Sequence, residues 1–237
     1  MPDNPTISRR DLDFILYEWL DVASLTERER FADHSRESFD AVLDLSEEIA
    51  REKFAPHYKT VDSHEPHMLP DGSVEMIPEV GEALEAYAQS GFFAGAFDEK
   101  LGGIQLPTSV ARASMAIFTS ANTSTSGYPF LTQANAAAIV AHGSAEQIDK
   151  WVLPMLEGRY FGTMCLSEPE AGSSLADIQT RAEPQPDGTY RVFGRKMWIS
   201  GGEHELSENI VHLVLAKIPG GPAGVKGISL FTCPSTP

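Results

Sequence analysis

Two short segments combine residue types that suit the binding of a flat, phosphate-bearing cofactor. Residues 164–180 have the sequence MCLSEPEAGSSLADIQT, and residues 194–202 have the sequence GRKMWISGG. At Gly172, Ser173 and Ser174, a glycine permits close approach to the backbone, and adjacent N–H groups with serine hydroxyls can surround a phosphate. The same tripeptide is also common in plain turns. Taken alone, it leaves both interpretations open.

Trp198 in the second segment also has two interpretations. It could cover one face of a planar ligand, although a tryptophan packed in the core is the more common use of this residue. The two segments together offer hydroxyls at Ser167 and Ser200, the turn at 172–174 and an aromatic face at Trp198. If they lie on neighbouring strands, this combination is typical of a site for a heteroaromatic cofactor that carries phosphate.

The elements that must position these residues change character along the chain. Up to about residue 158 the apolar residues recur at helical spacing, in stripes such as Leu12, Ile15, Leu16, Trp19 and Leu20, and Phe39, Val42, Leu43, Ile49 and Ala50. Beyond it the pattern shortens to strand-like runs at 160–167, 189–200, 210–218 and 226–234, with turn residues between them. The sequence therefore predicts an α+β fold, with an α-helical domain over 1–158 and a β-sheet or barrel-like domain over 159–237.

Several other ionisable residues favour ordinary structural roles. The segment 57–78 shows no regular apolar periodicity, so we expect a long connection there. It contains four side chains that could bind a metal, but their spacing is not that of a zinc site: His57, His64, Glu65 and His67. We therefore expect a solvated loop and no metal. The acidic group around His204, with Glu203, Glu205 and Glu208, suits a polar loop after a Gly-Gly turn. Cys165 has no evident histidine partner, which favours buried packing over a nucleophilic role.

Composition restricts the classes of partner. The 34 acidic residues exceed the 18 basic ones, and the formal net charge of −16 opposes binding to nucleic acid or to an anionic membrane surface. No stretch approaches the roughly 20 apolar residues that span a bilayer. The chain has 2 cysteines and no signal-like apolar stretch near Met1, so we expect a cytoplasmic location.

The paired segments resemble the flavin signatures of the acyl-CoA dehydrogenase family. The matching residues are Met164-Cys-Leu-Ser-Glu-Pro-Glu-Ala-Gly-Ser173 and Lys196-Met-Trp-Ile-Ser-Gly-Gly202, and the order of a helical half before a β half is similar to the first two domains of that family. Residues 199–231 resemble the branch with long-chain acyl-CoA and 3-methylmercaptopropionyl-CoA dehydrogenases. The resemblance covers nearly the whole chain.

The resemblance implies FAD as cofactor and a role for each matching residue. It places the backbone of Met164 and Leu166 beside the flavin ring and Ser167 near its reactive edge. It also implies that Trp198 stacks on the ring, next to Ile199, with Ser200 facing the N5 region. The remaining two matching residues, Gly172 and Ser173, would lie by the cofactor phosphates, with Ser173 also bordering the path of the acyl-CoA substrate. Glu170 stands where glycine is more common in the family, so we expect a modified turn there.

The activity that the resemblance implies is the FAD-dependent α,β-dehydrogenation of an acyl-CoA, with electron-transfer flavoprotein as acceptor and a homo-oligomeric enzyme. Family members carry the catalytic base in a C-terminal helical domain, and no residue of this sequence matches it, so we expect this chain to be an N-terminal portion that is inactive by itself. An acyl-CoA oxidase and a non-catalytic flavin-fold module, such as a DNA-associated relative, remain alternatives. The acidic charge disfavours the DNA-associated one.

Overall fold

The computed structural model describes residues 7–235, in which helices precede a five-stranded mixed sheet. The α-helices are α1 (Arg9–Asp13), α2 (Arg36–Ile49), α3 (Tyr58–Ser63), α4 (Pro78–Gln89), α5 (Thr108–Ala121), α6 (Thr123–His142), α7 (Ala145–Gln147) and α8 (Leu153–Leu156). Short 3-10 or π-helical turns extend or connect them, at Phe14–Trp19, Val22–Glu27, Glu29–Phe31, Ala50–Phe54, Ala55–His57, Glu99–Leu101 and Ile148–Val152. The predicted α+β fold is confirmed. In the part of the chain from 7 to 235, no helix is long and apolar enough to cross a membrane.

The sheet is organised around its longest strand. A separate hairpin comprises β1 (His67–Met68) and β2 (Val74–Glu75), and the main sheet contains β3 (Tyr160–Cys165), β4 (Arg181–Pro184), β5 (Tyr190–Phe193), β6 (Asn209–Lys217) and β7 (Ile228–Pro234). Strand β6 pairs in parallel with β3 and antiparallel with β7, and it meets β4 at its C-terminal end. Most residues of β6 are buried, as expected for a central strand.

The helices and the sheet share apolar packing. Val211 of β6 is fully buried in a cluster with Trp151 and Met155. Phe161 of β3 joins the core of the helical half, where its ring lies 5.7 Å from that of Phe93. The last helix ends at Leu156 and β3 begins at Tyr160, but because the core runs across this point, the division into two domains stays a prediction.

A buried asparagine joins α6 to the sheet. The side-chain amide of Asn135 donates hydrogen bonds to the carbonyl of Thr163 on β3 (3.0 Å) and to that of Val211 on β6 (2.7 Å). Gly162 faces this amide so closely that an added Cβ would lie 2.6 Å from Asn135 Cβ. The hydroxyl of Thr132 also accepts a hydrogen bond from the Gly162 N–H. Helix α6 therefore fixes the position of β3, the strand that leads into the candidate site.

Two local expectations from the sequence were wrong, and one predicted helix is less buried than its stripe suggests. The chain is helical over Arg9–Asp13 and, in π-helical turns, over Phe14–Trp19, but Leu16 is the buried residue of the stripe along 12–20 and Trp19 is 72% exposed. The run 189–200 is a strand only at Tyr190–Phe193. The connection 57–78 contains α3 and the small hairpin, and His57 is buried there, bonded to the Thr125 hydroxyl at 2.8 Å.

Candidate functional site

The first candidate segment continues directly from β3 into a loop. Met164 lies within the strand and is 38% exposed, while Leu166 and Ser167 follow it in a half-buried position. Backbone hydrogen bonds between Glu168 and Ala171 close a tight turn after them. Gly172 and Ser173 follow that turn and are accessible. An added Cβ at Gly172 would meet no atom within 4 Å, so there is open space beside the backbone there.

The second candidate segment is not a strand, which corrects the expectation that two neighbouring strands form the site. After β5, the chain turns at Gly194, where an added Cβ would collide with Thr180. Trp198 then adopts a left-handed backbone conformation, with φ of 59°. Its side chain is 77% exposed, which excludes the core tryptophan considered above. Ile199 is half-buried and Ser200 is exposed in the turn that follows.

Hydrogen bonds bring the two segments together. The backbone N–H of Met197 donates to the carbonyl of Ser167 at 3.0 Å. The ammonium group of Lys196 donates to the carbonyl of Leu166 at 3.0 Å and to the carboxylate of Glu168 at 2.8 Å. Since these contacts flank Trp198 on one side, they place it beside Leu166 and Ser167, although nearly thirty residues separate the segments in sequence.

Glu168 and Lys196 join the two candidate segments, although the sequence alone indicated no role for them. Their side chains are only 7% and 11% exposed. The Glu168 carboxylate also accepts backbone N–H hydrogen bonds from Gln179 (2.7 Å) and Thr180 (3.0 Å). Burial by itself raises the pKa of Glu168, but the hydrogen bonds from these two backbone groups and from Lys196 outweigh it and lower the pKa to about 2. Glu168 lies in the first of the two sequence motifs and Lys196 in the second. Their positions within these motifs were the signal in the sequence that could have identified them.

The hydroxyls of the candidate site are free to meet a ligand. Within residues 7–235, no hydrogen bond engages the side chains of Ser167, Ser173 or Ser200. Ser174 differs, because its hydroxyl donates to the Asp177 carboxylate at 2.6 Å. In the turn at 172–174, the groups that remain able to bind a phosphate are thus the backbone N–H groups and the hydroxyl of Ser173. An exposed indole, three unengaged hydroxyls and open backbone at Gly172 fit a flat ligand with polar edges and a phosphate group.

Two further ionisable residues near the site, His204 and Cys165, are buried in structural positions. His204 is 4% exposed, its ring lies edge-on to those of Tyr128 (5.3 Å) and Phe161 (5.5 Å), and burial lowers its pKa to about 4. The segment is the loop that the sequence predicts, with Glu203, Glu205 and Glu208 exposed, but the ring of His204 points into the core. Cys165 is buried and its pKa is raised by burial, so its thiol stays protonated at neutral pH.

Comparison with known proteins identifies the relatives of the chain. Residues 36–159 match the model of the acyl-CoA dehydrogenase N-terminal domain. The chain is 36% identical over 228 residues to 3-methylmercaptopropionyl-CoA dehydrogenase of Ruegeria pomeroyi, which covers 95% of this chain and 38% of that protein. It is 30% identical over 237 residues to a butyryl-CoA dehydrogenase of Syntrophomonas wolfei, with 98% and 38% covered. The chain thus spans well under half the length of these relatives.

Solved structures share the fold at lower sequence identity. Glutaryl-CoA dehydrogenase from Mycobacterium smegmatis superposes with a TM-score of 0.67 at 23% identity, covering 86% of this chain and 47% of that one. An acyl-CoA dehydrogenase from Bacillus anthracis, solved in complex with FAD, gives a TM-score of 0.67 at 22% identity, covering 85% and 31%. The order of helices before a mixed sheet, the paired segments at the end of β3 and the match over more than half of the sequence lead to one conclusion: this chain belongs to the acyl-CoA dehydrogenase family.

Proposed function

We propose that this chain contributes one wall of the FAD site of an enzyme that dehydrogenates acyl-CoA thioesters at the α,β carbon–carbon bond. The observation that carries the proposal is Trp198, which is held at φ of 59° with 77% of its surface exposed, beside the end of β3. A solvent-exposed aromatic side chain on a backbone held in a sparsely populated conformation has the properties expected of a stacking surface. FAD, when bound, supplies the hydride acceptor for the reaction.

The surrounding residues have complementary proposed roles. Trp198 stacks against one face of the isoalloxazine ring, next to Ile199, and the backbone of Met164 and Leu166 lies beside the ring. The hydroxyls of Ser167 and Ser200 donate hydrogen bonds to polar atoms at the ring edge. Gly172 and Ser173 bind the phosphate region, where the space beside Gly172 admits a ligand to the backbone, and Ser173 also borders the path of the acyl-CoA.

The proposed partners follow from the same assignment. The substrate is an acyl-CoA of fatty-acid oxidation, and electron-transfer flavoprotein is the proposed acceptor for the electrons, in a homo-oligomeric enzyme. We propose a cytoplasmic location, because Cys165 and Cys233 are both free thiols, as is usual in a reducing compartment.

Trp198→Ala is expected to weaken FAD binding about threefold to tenfold, since it removes a stacked aromatic pair worth about 0.5 to 1.5 kcal/mol. The measurement is a titration of FAD with the chain, followed by quenching of flavin fluorescence. Trp19→Ala is the matched control, because Trp19 is similarly exposed, at 72%, but lies in the N-terminal helical region. Equal affinities for the Trp198 variant and the parent would remove Trp198 from the site.

A further inference from the structure

The backbone at Trp198 requires an explanation that its own side chain does not provide. A residue with a Cβ in the left-handed region costs about 1 to 2 kcal/mol, and a bulky aromatic residue rarely adopts it. The indole is largely exposed, so core packing does not offset that cost. Such a conformation persists only when the surrounding structure determines it, and the residues that do so are those that fix the backbone next to Trp198.

Hydrogen bonds hold the backbone on both sides of Trp198. Met197 is bonded through its N–H to the Ser167 carbonyl, and Lys196 reaches back across the gap to the Leu166 carbonyl and the Glu168 carboxylate. After Trp198, the Gly202 N–H donates to the Ile199 carbonyl and closes a turn. The left-handed residue is therefore flanked by two anchored stretches of backbone, and the stronger anchor is the charged one on its N-terminal side.

The Glu168 carboxylate connects three parts of the chain. It accepts hydrogen bonds from Lys196 in the second segment and from the backbone of Gln179 and Thr180, which directly precede β4, and it belongs itself to the loop after β3. A buried ion pair is costly to desolvate, and apolar residues of similar size are often no less stable in its place. A gain in stability is therefore a weak explanation for a charged pair at this position. The better explanation is that the pair fixes the positions of the two loop segments relative to each other.

We propose that Lys196 and Glu168 are positioning residues for the candidate flavin site, which hold the backbone at 196–197 against 166–168 and thereby keep Trp198 in its left-handed conformation beside Ser167. The inference rests on the proposed function, and it adds two residues that act through Trp198 without touching the cofactor themselves. It predicts that the effect of either residue on flavin binding depends on the presence of the indole.

A double-mutant comparison tests this dependence. Lys196→Met is expected to weaken FAD binding in the parent chain by about the same threefold to tenfold as Trp198→Ala, and by less than twofold when Trp198 is already alanine. Lys196→Arg, which restores a donor to both oxygens, should recover most of the affinity. Equal losses in the two backgrounds would overturn the proposal, because they would show that Lys196 acts on the fold in general.

Two further variants keep the comparison decisive. Lys217→Met is the matched control, since Lys217 also donates to a carbonyl of this region, that of Ala176 at 2.6 Å, but contacts no candidate site residue; its affinity for FAD should equal that of the parent. If Lys196→Met does not fold, Glu168→Gln takes its place, because it removes the charge that pairs with Lys196. Its single amide oxygen can accept from only one of the two backbone N–H groups, which bond different carboxylate oxygens in the parent, so unfolding by urea is compared as well. The same non-additivity with Trp198→Ala is expected.

A measurement without flavin separates this inference from the proposed function. The indole N–H signals of the chain, recorded by ¹⁵N NMR, should show a changed signal for Trp198 in Lys196→Met and an unchanged one for Trp19. If the parent failed to bind FAD but the Trp198 signal moved, the positioning role would stand and the proposed function would fall. An unmoved Trp198 signal in the variant would contradict the positioning role itself.

Discussion

Gly162→Ala is expected to lower the free energy of unfolding by about 3 kcal/mol or more, the largest effect of any single substitution proposed for this chain. An added Cβ would lie 2.6 to 2.9 Å from the side chain of Asn135, which is too close for any real contact. Asn135 cannot withdraw without releasing the carbonyls of Thr163 and Val211, both of which it bonds in the buried junction of α6, β3 and β6. The cost of overpacking and the cost of the lost hydrogen bonds therefore both lower the free energy of unfolding.

The measurement is urea unfolding of the two chains, followed by far-ultraviolet circular dichroism. Gly172→Ala is the matched control, since its Cβ would meet nothing within 4 Å and its φ lies outside the left-handed region. We expect the control to change the free energy of unfolding by no more than about 1 kcal/mol. Similar losses in both variants would mean that the contact of Gly162 with Asn135 does not determine the packing of α6 on the sheet.

Acidification is expected to destabilise the chain through His204. Burial holds the pKa of this imidazole at about 4 in the folded chain, below its ordinary value of 6.5. The unfolded chain therefore binds a proton at a higher pH than the folded chain does. The contribution of His204 to stability is complete above pH 6.5 and is lost as the pH falls towards 4. Between pH 7 and pH 4.5 the loss amounts to about 2 to 3 kcal/mol.

The test compares urea unfolding of the parent and of His204→Phe at these two pH values. Phenylalanine keeps a ring against Tyr128 and Phe161 and removes the titrating group. The parent should lose about 2 to 3 kcal/mol more than the variant on acidification, because His57, whose pKa is also lowered by burial, contributes equally to both. The charge of His212 helps to lower the pKa of His204, so the smaller contribution of His212 differs between the two proteins. Equal acid sensitivity in the two proteins would show that His204 does not titrate in this way.

Helical periodicity predicted the parts of the fold in which local sequence and core contact agree. Phe39 and Leu43 stand one turn apart in α2, and both are fully buried. The same method predicted a helix over Phe14–Trp19 but not its π-helical turns, which have a different spacing from the α-helix that the pattern assumes. It also treated 189–200 as one strand, although β5 ends at Phe193.

The candidate site was predicted in composition but not in geometry. Its residues stand in two motifs that the sequence displays directly, and the exposed Trp198 was one of two interpretations left open. The ion pair of Glu168 with Lys196 joins residues that are far apart in sequence, and the left-handed backbone of Trp198 depends on that long-range contact. Neither follows from local propensity, because each is fixed by the way two loops meet in the folded chain.

The central claim, that the wall formed by the end of β3 and the loop at 196–200 binds the isoalloxazine ring of FAD, is tested most directly by mapping the contact on the chain itself. The measurement is a titration of ¹⁵N-labelled chain with FAD, recorded by NMR, which detects weak binding as well as tight binding. We predict that the Trp198 indole N–H and the backbone N–H groups of Leu166, Ser167 and Ser200 shift together along one binding curve, while the indole of Trp19 does not move. Shifts confined to other parts of the chain, or no shifts at millimolar FAD, would contradict the claim.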